Sequence, residues 1–384
     1  MTSLLIFLVL VLIGIAIWQL TKIFDLTQVG VDSENSEVAN DKDNAVNGYL
    51  MFAFVGFIYI FTIYSVVKWG DLVLGTPASE HGADVDNLMN ISLVLIFFVQ
   101  TITQFLLHFF TFKYRGRKGQ KALYFADNNK LEAIWTIIPV IVLAGLILYG
   151  LYTWNEIMYY EEEEDVIYVE LYAKQFGWEA RYAGEDNTLG KANVRYIEGI
   201  NTLGVDLADP AAQDDKVVTE LHLPKGKKVV FKMRSQDVLH SAYMPHFRAQ
   251  MNCVPGMVTQ FAFIPTVTTV EMREDEAIKF KVDKINKIRA KKSIELAANG
   301  EEALDPYTFD YLLLCNKICG ASHYNMQMKI VVDTPEDFKK WLNEKPTLSS
   351  QWKEANAPAP EPVPVVVPVE TVVDTTKVLA QVIK

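Results

Sequence analysis

Residues 311–326 read Tyr-Leu-Leu-Leu-Cys-Asn-Lys-Ile-Cys-Gly-Ala-Ser-His-Tyr-Asn-Met, and the reading of the whole chain turns on them. Cys315 and Cys319, two of the three cysteines present, are followed at tight spacing by His323 and Met326. Thiolate, imidazole and thioether together form the ligand mix that favours copper in an electron-transfer role. A loop of this length can turn all four side chains toward one point, and Gly320 frees the backbone just after the second thiol. A mononuclear blue-copper site uses a single cysteine. A second one, four residues on, therefore suggests two metals bridged by two sulfurs. Each metal then needs its own imidazole, and the loop supplies one.

The best candidate for the other is His240, at the end of a strand-like run in Asp237-Val-Leu-His-Ser-Ala-Tyr-Met-Pro245, ahead of Arg248 and Met251-Asn-Cys-Val-Pro-Gly256. The pair formed by Asp237–Ser241 with Val254–Gly256, and by Cys315, Cys319, Gly320, His323 and Met326, resembles subunit II of the haem-copper cytochrome c oxidases. That family carries the binuclear copper A centre. The resemblance runs over roughly residues 90–335, with a large insertion inside it. It implies two copper ions held by His240, Cys315, Cys319, His323 and Met326, plus the backbone carbonyl of Lys317. The thiolates would bridge, each imidazole would end on one copper, and Met326 and the carbonyl would be weak axial ligands. The family usually has Glu where Lys317 stands and Asp where Asn252 stands. A carbonyl ligand tolerates any side chain, but a magnesium ion at the subunit I interface becomes doubtful here.

Outward from that loop, four uncharged stretches reach the length of about 20 apolar residues needed to cross a bilayer. They are Met1–Thr21, Ala45–Val67, Asn87–Phe112 and Ala133–Asn155. The first lacks Lys or Arg ahead of its apolar run and reads as an uncleaved helix rather than a signal peptide. Between the third and fourth lie Lys113, Arg115, Arg117, Lys118, Lys121 and Lys130 against the single acid Asp127, so this loop is expected in the cytoplasm. Everything after Asn155 is then external. By alternation the N-terminus is also outside and the acidic Thr21–Asn44 loop inside. The third and fourth stretches correspond to the family's helix hairpin, and the first two are extra, for lipid anchoring or packing on a neighbour. Leu131-Glu-Ala-Ile-Trp-Thr-Ile-Ile-Pro139 is similar to the family's start of its second helix. That likeness puts Glu132 at the cytoplasmic mouth of a proton path, although an acid there also simply suits the helix dipole. His108 reads as an interfacial residue.

Outside the membrane, Glu161–Asp165 is a solvated acidic run or a docking patch for a basic protein. Val166–Tyr182 alternates as a strand should. Within it, Ala173-Lys-Gln-Phe-Gly-Trp178 resembles the family's aromatic segment near the copper. The aromatic through which electrons enter, usually Trp, falls on Phe176, and Trp178 keeps the second position. The plainer reading of both is a buried strand aromatic. Residues 183–215 read as a surface excursion, Val217–Met233 as two strands around Pro224-Lys-Gly226, and Val258–Phe263 as another short strand. This spacing, with metal ligands in loops at one end, points to an all-β cupredoxin-like Greek-key barrel behind N-terminal transmembrane α-helices.

Ile264–Thr308 is too long for a connecting turn. It carries Lys284, Lys287, Arg289, Lys291 and Lys292, then Glu295, Glu301 and Glu302, with an amphipathic helix expected over Ile285–Ala298. A solvated face is the plain reading, lipid headgroups or a partner protein the sharper ones, and nucleic acid does not suit an extracytoplasmic site. Pro335–Leu342 reads as a short capped helix. The tail from Ala355 is rich in Pro, Val and Ala and reads as extended, its apolar end a candidate grip on a neighbouring subunit. The expected division is therefore a first helix and acidic loop (1–44), three transmembrane helices (45–155), a copper domain (156–348) with insertions at 183–215 and 264–308, and a tail (349–384).

Cys253 has no partner left for a disulfide and reads as a small buried residue, and His246 as a surface or interface group. His81 and His222 stand in no motif. No haem-attachment motif, P-loop or dinucleotide fingerprint is present. The resemblance implies an electron-accepting subunit of a membrane oxidase, with copper domain on the periplasmic side of a bacterial inner membrane. Its electrons would come from a cytochrome c or a c-haem-bearing complex and pass to haem in subunit I, where oxygen is reduced to water. Subunit I, other oxidase subunits and lipid are the implied partners. The net charge of −11 suits steering of a basic donor. A quinol oxidase subunit would lack the copper ligands, and a copper carrier would need an exchangeable site.

Overall fold

A computed structural model describes residues 2–28, 41–70, 73, 75–159 and 166–357. The acidic run 161–165 and the chain beyond 357, including most of the Pro-rich tail, lie outside the described residues.

Backbone polar groups find no partner in hydrocarbon, so apolar spans must satisfy their own hydrogen bonds as helices. Four helices form where the apolar stretches lie: α1 (Thr2–Gln28), α2 (Asp41–Trp69), α3 (Gly82–Lys113) and α4 (Asn129–Met158). Among the described residues, α2, α3 and α4 are long and apolar enough to cross a membrane, and the described apolar stretch of α1 is Ile6–Thr21. Their side chains, such as Ile141 and Leu148 of α4, face outward. Helices α2 and α3 pack closely where Gly48 meets Phe112; a Cβ at Gly48 would come 2.6 Å from that ring. His108, expected at the interface, is instead buried, with Nδ1 2.7 Å from the Gln104 carbonyl oxygen. Helix α4 is capped by the Asn128 side chain, which accepts from Leu131 N, and holds exposed Glu132 in its first turn and Pro139 further in.

The external domain is a two-sheet sandwich. Its strands are β1 (Val166–Lys174), β2 (Gly177–Tyr182), β3 (Lys216–Val218), β4 (Leu221–Pro224), β5 (Lys228–Ser235), β6 (His240–Met244), β7 (Ala249–Cys253), β8 (Thr259–Phe263), β9 (Tyr311–Cys315) and β10 (Gln327–Asp333). One sheet runs β3-β2-β1-β5-β8 and the other β4-β10-β9-β6-β7. Pairs β1–β5 and β4–β10 are parallel, and the remaining pairs are antiparallel. Alternate residues point inward, so Val169, Leu171, Phe231 and Met233 meet Ala242, Met244, Leu313 and Ile330 in one core. Each large side chain fully buried there contributes about 1.5–3 kcal/mol.

Three local outcomes differ from the expectations. The single strand expected over Val166–Tyr182 is a hairpin of β1 and β2, because the chain reverses at Gln175–Phe176 and pairs Lys174 with Gly177. The expected surface excursion 183–215 is packed rather than loose: Leu203, Val205 and Ala212 form a small core with Tyr172 and Leu348. In the second insertion the helix begins nearer the barrel than expected. A short α5 (Thr269–Arg273) with a Thr268–Glu271 capping box leads into α6 (Glu276–Ala298), capped by Asp275. The chain then returns alongside α6, where Asn286 and Tyr307 exchange hydrogen bonds of 3.1 and 2.7 Å. Helices α7 (Pro335–Asn343) and α8 (Leu348–Ala355) close the domain, with Trp341 stacked on His222 at 3.9 Å.

The barrel is fastened to the outer end of α3. Arg248, two residues beyond His246, grips Asp86 through Nε and Nη2 at 2.7 and 2.8 Å. Ala78 N donates to the His246 carbonyl at 2.8 Å. His246 is therefore no surface group: its ring meets Phe309 and Tyr311 edge-on and its Nδ1 is buried. Burial, then the nearby Lys281 and Arg248 charges, push its pKa down to about 4. It sits at the opposite end of β6 from His240, since Met244 and His240 are the strand's two ends.

Candidate metal centre

Register places the centre. Strand β6 pairs with β9 so that Ala242 faces Cys315, which leaves His240 overhanging the strand end where the 316–326 loop departs. The loop is pinned at both ends: Cys315 N donates to Met326 O at 3.0 Å and Asn316 N to Ser241 O at 3.0 Å. Gly320, at φ +142°, sits where a Cβ would come 2.8 Å from the Phe176 ring, so the β1–β2 hairpin tip lies directly against the loop. The Gln175 side-chain amide donates to the Cys319 carbonyl. Gly320 is thus required twice over, for its backbone angle and for the close approach.

Into this frame the side chains converge. Cys315 Sγ lies 3.7 Å from His240 Nδ1, 3.2 Å from the Lys317 carbonyl oxygen and 3.9 Å from Cys319 Sγ. Cys319 Sγ lies 3.6 Å from His323 Nδ1 and 3.8 Å from Met326 Sδ. Both cysteines are free thiols, at almost twice the about 2.05 Å of a disulfide. Ligands bound at about 2.0–2.3 Å to one tetrahedral ion stand about 3.3–3.8 Å apart, and the thiol–imidazole separations of 3.7 and 3.6 Å fall in that range. His240, Cys315 and Cys319 have ligand atoms mutually within 4.8 Å, a triangle that His323 does not join. Each thiol thus has its own imidazole, as a pair of ions sharing two sulfurs requires. The donor set is soft and contains no carboxylate, which suits copper over magnesium or calcium.

The surroundings hold the donors still. His240 is fully buried, and its Nε2 is 2.8 Å from Asp237 Oδ1, which leaves Nδ1 free to face the thiols. Burial raises the Asp237 carboxyl, but hydrogen bonds from His240, Gln175 N and Val238 N outweigh it and hold its pKa below the usual value. Cys319 and Met326 are buried. Burial, then the adjacent Cys315 thiol, push the Cys319 thiol up to about 11. Metal uptake near neutral pH must therefore displace its proton, since the bound form is the thiolate. Apparent copper affinity is expected to rise with pH, by up to about tenfold per unit for each proton displaced. Proton release on adding copper to weakly buffered protein, followed with an indicator dye, measures this. Uptake without proton release would contradict it.

The other residues singled out in the sequence fall into place as follows. Trp178 is buried with its ring 6.3 Å from that of His240, and Phe176 is 41% exposed at the hairpin tip beside the loop. Trp178 therefore stands beside a donor imidazole and Phe176 beside the loop backbone at Gly320. Glu132 lies at the far end of α4, at the opposite side of the helix layer. Cys253 is buried and faces His240 across β6–β7, with its thiol pushed up to about 12 by burial. Sequence reasoning missed Asp237 as the partner of His240 and Gln175 as a brace on the loop. The only available signal was their placement inside the two quoted motifs.

Comparison with known proteins extends this geometry. A family model described as the transmembrane domain of cytochrome c oxidase subunit II matches residues 67–153, which cover α3 and most of α4. A second, described as its periplasmic domain, matches residues 169–273, ending at the close of α5 and short of α6 and the cysteine loop. The alternative cytochrome c oxidase subunit 2 of Bradyrhizobium diazoefficiens is 30% identical over 292 residues, covering 76% of this chain and 88% of that protein. Cytochrome c oxidase subunit 2 of Thermostichus vulcanus is 24% identical over 303 residues, covering 72% and 80%. Among solved structures, the periplasmic domain of subunit II of the Bradyrhizobium japonicum cytochrome oxidase aligns with 16% identity and a TM-score of 0.26, covering 48% of this chain and 94% of that one. Helix hairpin and periplasmic barrel occur here in the family's order, over most of the length of a relative at 30% identity; the chain belongs to the cytochrome c oxidase subunit II family and is a subunit of a haem-copper oxidase.

Proposed function

We propose that this chain is the electron-accepting subunit of its oxidase, through a binuclear copper centre held by His240, Cys315, Cys319, His323, Met326 and the carbonyl of Lys317. The observation that carries the reading is the pairing of each thiol with a different imidazole, at 3.7 and 3.6 Å, around a 3.9 Å separation of the thiols. A bound pair of coppers would share one electron across two metals and two sulfurs, with little ligand movement.

The chain's own residues do the rest. Asp237 fixes the His240 tautomer and ring. Met326 and the buried face of the loop exclude water, while Ile318 and Tyr324, each 89% exposed, offer an apolar rim to a docking donor. Electrons would arrive from a cytochrome c or a c-haem-bearing complex by way of Phe176 and Trp178, which flank the loop. They would then pass to haem in subunit I, where oxygen is reduced to water. The domain would stand on the periplasmic side of a bacterial inner membrane, with Glu132 at the cytoplasmic mouth of a proton path. Lys317 is exposed and cationic and Asn252 is neutral, so neither side chain favours an interface magnesium ion.

The test is an optical and electron paramagnetic resonance spectrum of the full chain loaded with copper. Two coppers per chain sharing one unpaired electron are expected. One copper per chain, or a silent spectrum, would return the quinol-oxidase or copper-carrier readings.

A further inference from the structure

Helix α6 is part of neither the copper centre nor the barrel wall, and its composition runs against that of the chain. Over Glu276–Ala298 it carries seven Lys or Arg residues against three acids, in a protein of net charge −11. Its base lies where the barrel meets the membrane helices. The capping residue Asp275 accepts a 2.7 Å hydrogen bond from Thr76 Oγ1, in the segment leading into α3 at Gly82.

One face of α6 is already spoken for. Ile278 is buried, Val282 packs on the core, and Asn286 and Arg289 bond the returning chain at Tyr307 and Asp305. At 100° per residue the opposite face holds Phe280, Lys284, Lys287, Ile288, Lys291 and Ile294. The three apolar members are 53, 68 and 73% exposed. Lys284 lays its ammonium 4.1 Å from the centre of the Phe280 ring, and Lys287 reaches back to Asp283 at 2.6 Å.

A merely solvated face has no use for a Phe and two Ile, and an apolar docking groove has no use for three interleaved lysines. The mixture suits a headgroup layer, in which rings and branched chains enter the acyl boundary and lysine stems run upward to phosphates. We propose that α6 is an interfacial helix that rests this face on anionic lipid headgroups, on the membrane surface from which the barrel rises. It would give the copper domain a second foothold beside the Arg248–Asp86 clamp.

Limited trypsinolysis of the full chain tests this, in nanodiscs of phosphatidylcholine alone and of phosphatidylcholine with phosphatidylglycerol. Cleavage after Lys284, Lys287 and Lys291 is expected to slow at least about tenfold in the anionic discs. The protection should weaken with added salt. It should also be lost in Phe280→Ser/Ile288→Ser/Ile294→Ser, which keeps every cleavage site and leaves the packed face of α6 intact. Equal rates in the two kinds of disc would overturn the proposal. So would protection that appears only when other oxidase subunits are present, whatever the lipid charge, because the occupant would then be a protein.

Discussion

Cys315→Ser is expected to abolish the two-copper spectrum and to lower electron uptake from a reduced c-type cytochrome by more than about a hundredfold. The reason lies in where that sulfur sits. It faces His240 Nδ1, the Lys317 carbonyl and the second thiol at once, at 3.7, 3.2 and 3.9 Å. A serine oxygen is hard, reaches less far, and does not ionise near neutral pH, so it cannot bridge two soft ions. Changes to residues that only orient a ligand typically cost about 10–100-fold, and loss of a bridging ligand must exceed that. Cys253→Ala is the matched control. Its thiol is buried across the strand pair from His240 but belongs to no donor contact, so the copper signal should persist. The outcomes that would sink the assignment are a two-copper signal retained in Cys315→Ser, or one lost in a folded Cys253→Ala.

The donor types and their spacing are local features, and for that reason Cys315, Cys319, His323 and Met326 could be picked out from 12 consecutive residues of sequence. The membrane helices were legible on the same ground, since a span needs only a long uncharged run. What carries His240 to the thiols is non-local. It depends on β6 meeting β9 with Ala242 opposite Cys315, a register that strand patterns do not specify because any two alternating strands could pair. The same limit hid the β1–β2 hairpin. The core-facing positions switch from Val169, Leu171 and Ala173 to Trp178, Ala180 and Tyr182 across the turn, and tyrosines and a phenylalanine in the other phase mask that switch in the sequence. The packed insertion 183–215 was hidden by its composition. Its Gly, Asn and Asp residues serve tight turns and buried hydrogen bonds, such as the Asn201 amide to Val205 O at 2.8 Å, and that composition looks like solvated loop. His246 read as a surface or interface group and His222 stood in no motif because the aromatic rings that cover them lie far along the chain, Phe309 and Tyr311 for one and Trp341 for the other.

Arg181→Met should lower the stability of the external domain by about 3–5 kcal/mol, the cost of leaving buried carboxylates without their cation. Arg181 is 2% exposed, and it donates from Nε to Glu170 Oε2 at 2.6 Å and from Nη1 to Asp215 Oδ2 at 2.7 Å. Nη1 also reaches the Gly190 carbonyl at 2.9 Å, so one guanidinium ties β1, β2 and both ends of the insertion together. Glu170 would keep a second cation in Arg234, whereas Asp215 would keep only the Gly190 amide. Asp215 therefore dominates the loss. Burial already pushes its pKa up to about 6, against the opposing pull of Arg181, and removing that pull raises it further. A carboxyl whose folded pKa lies above its unfolded value binds protons better when folded, so it weakens the fold as pH rises between the two values. The deficit of Arg181→Met should thus be larger at pH 8 than at pH 5, and Arg181→Met/Asp215→Asn should recover part of it at pH 8. Thermal unfolding of the full chain, followed by tryptophan fluorescence at the two pH values, reads both effects. A variant as stable as the parent, or a deficit that grows toward low pH, would show that the guanidinium is not what neutralises the buried Asp215.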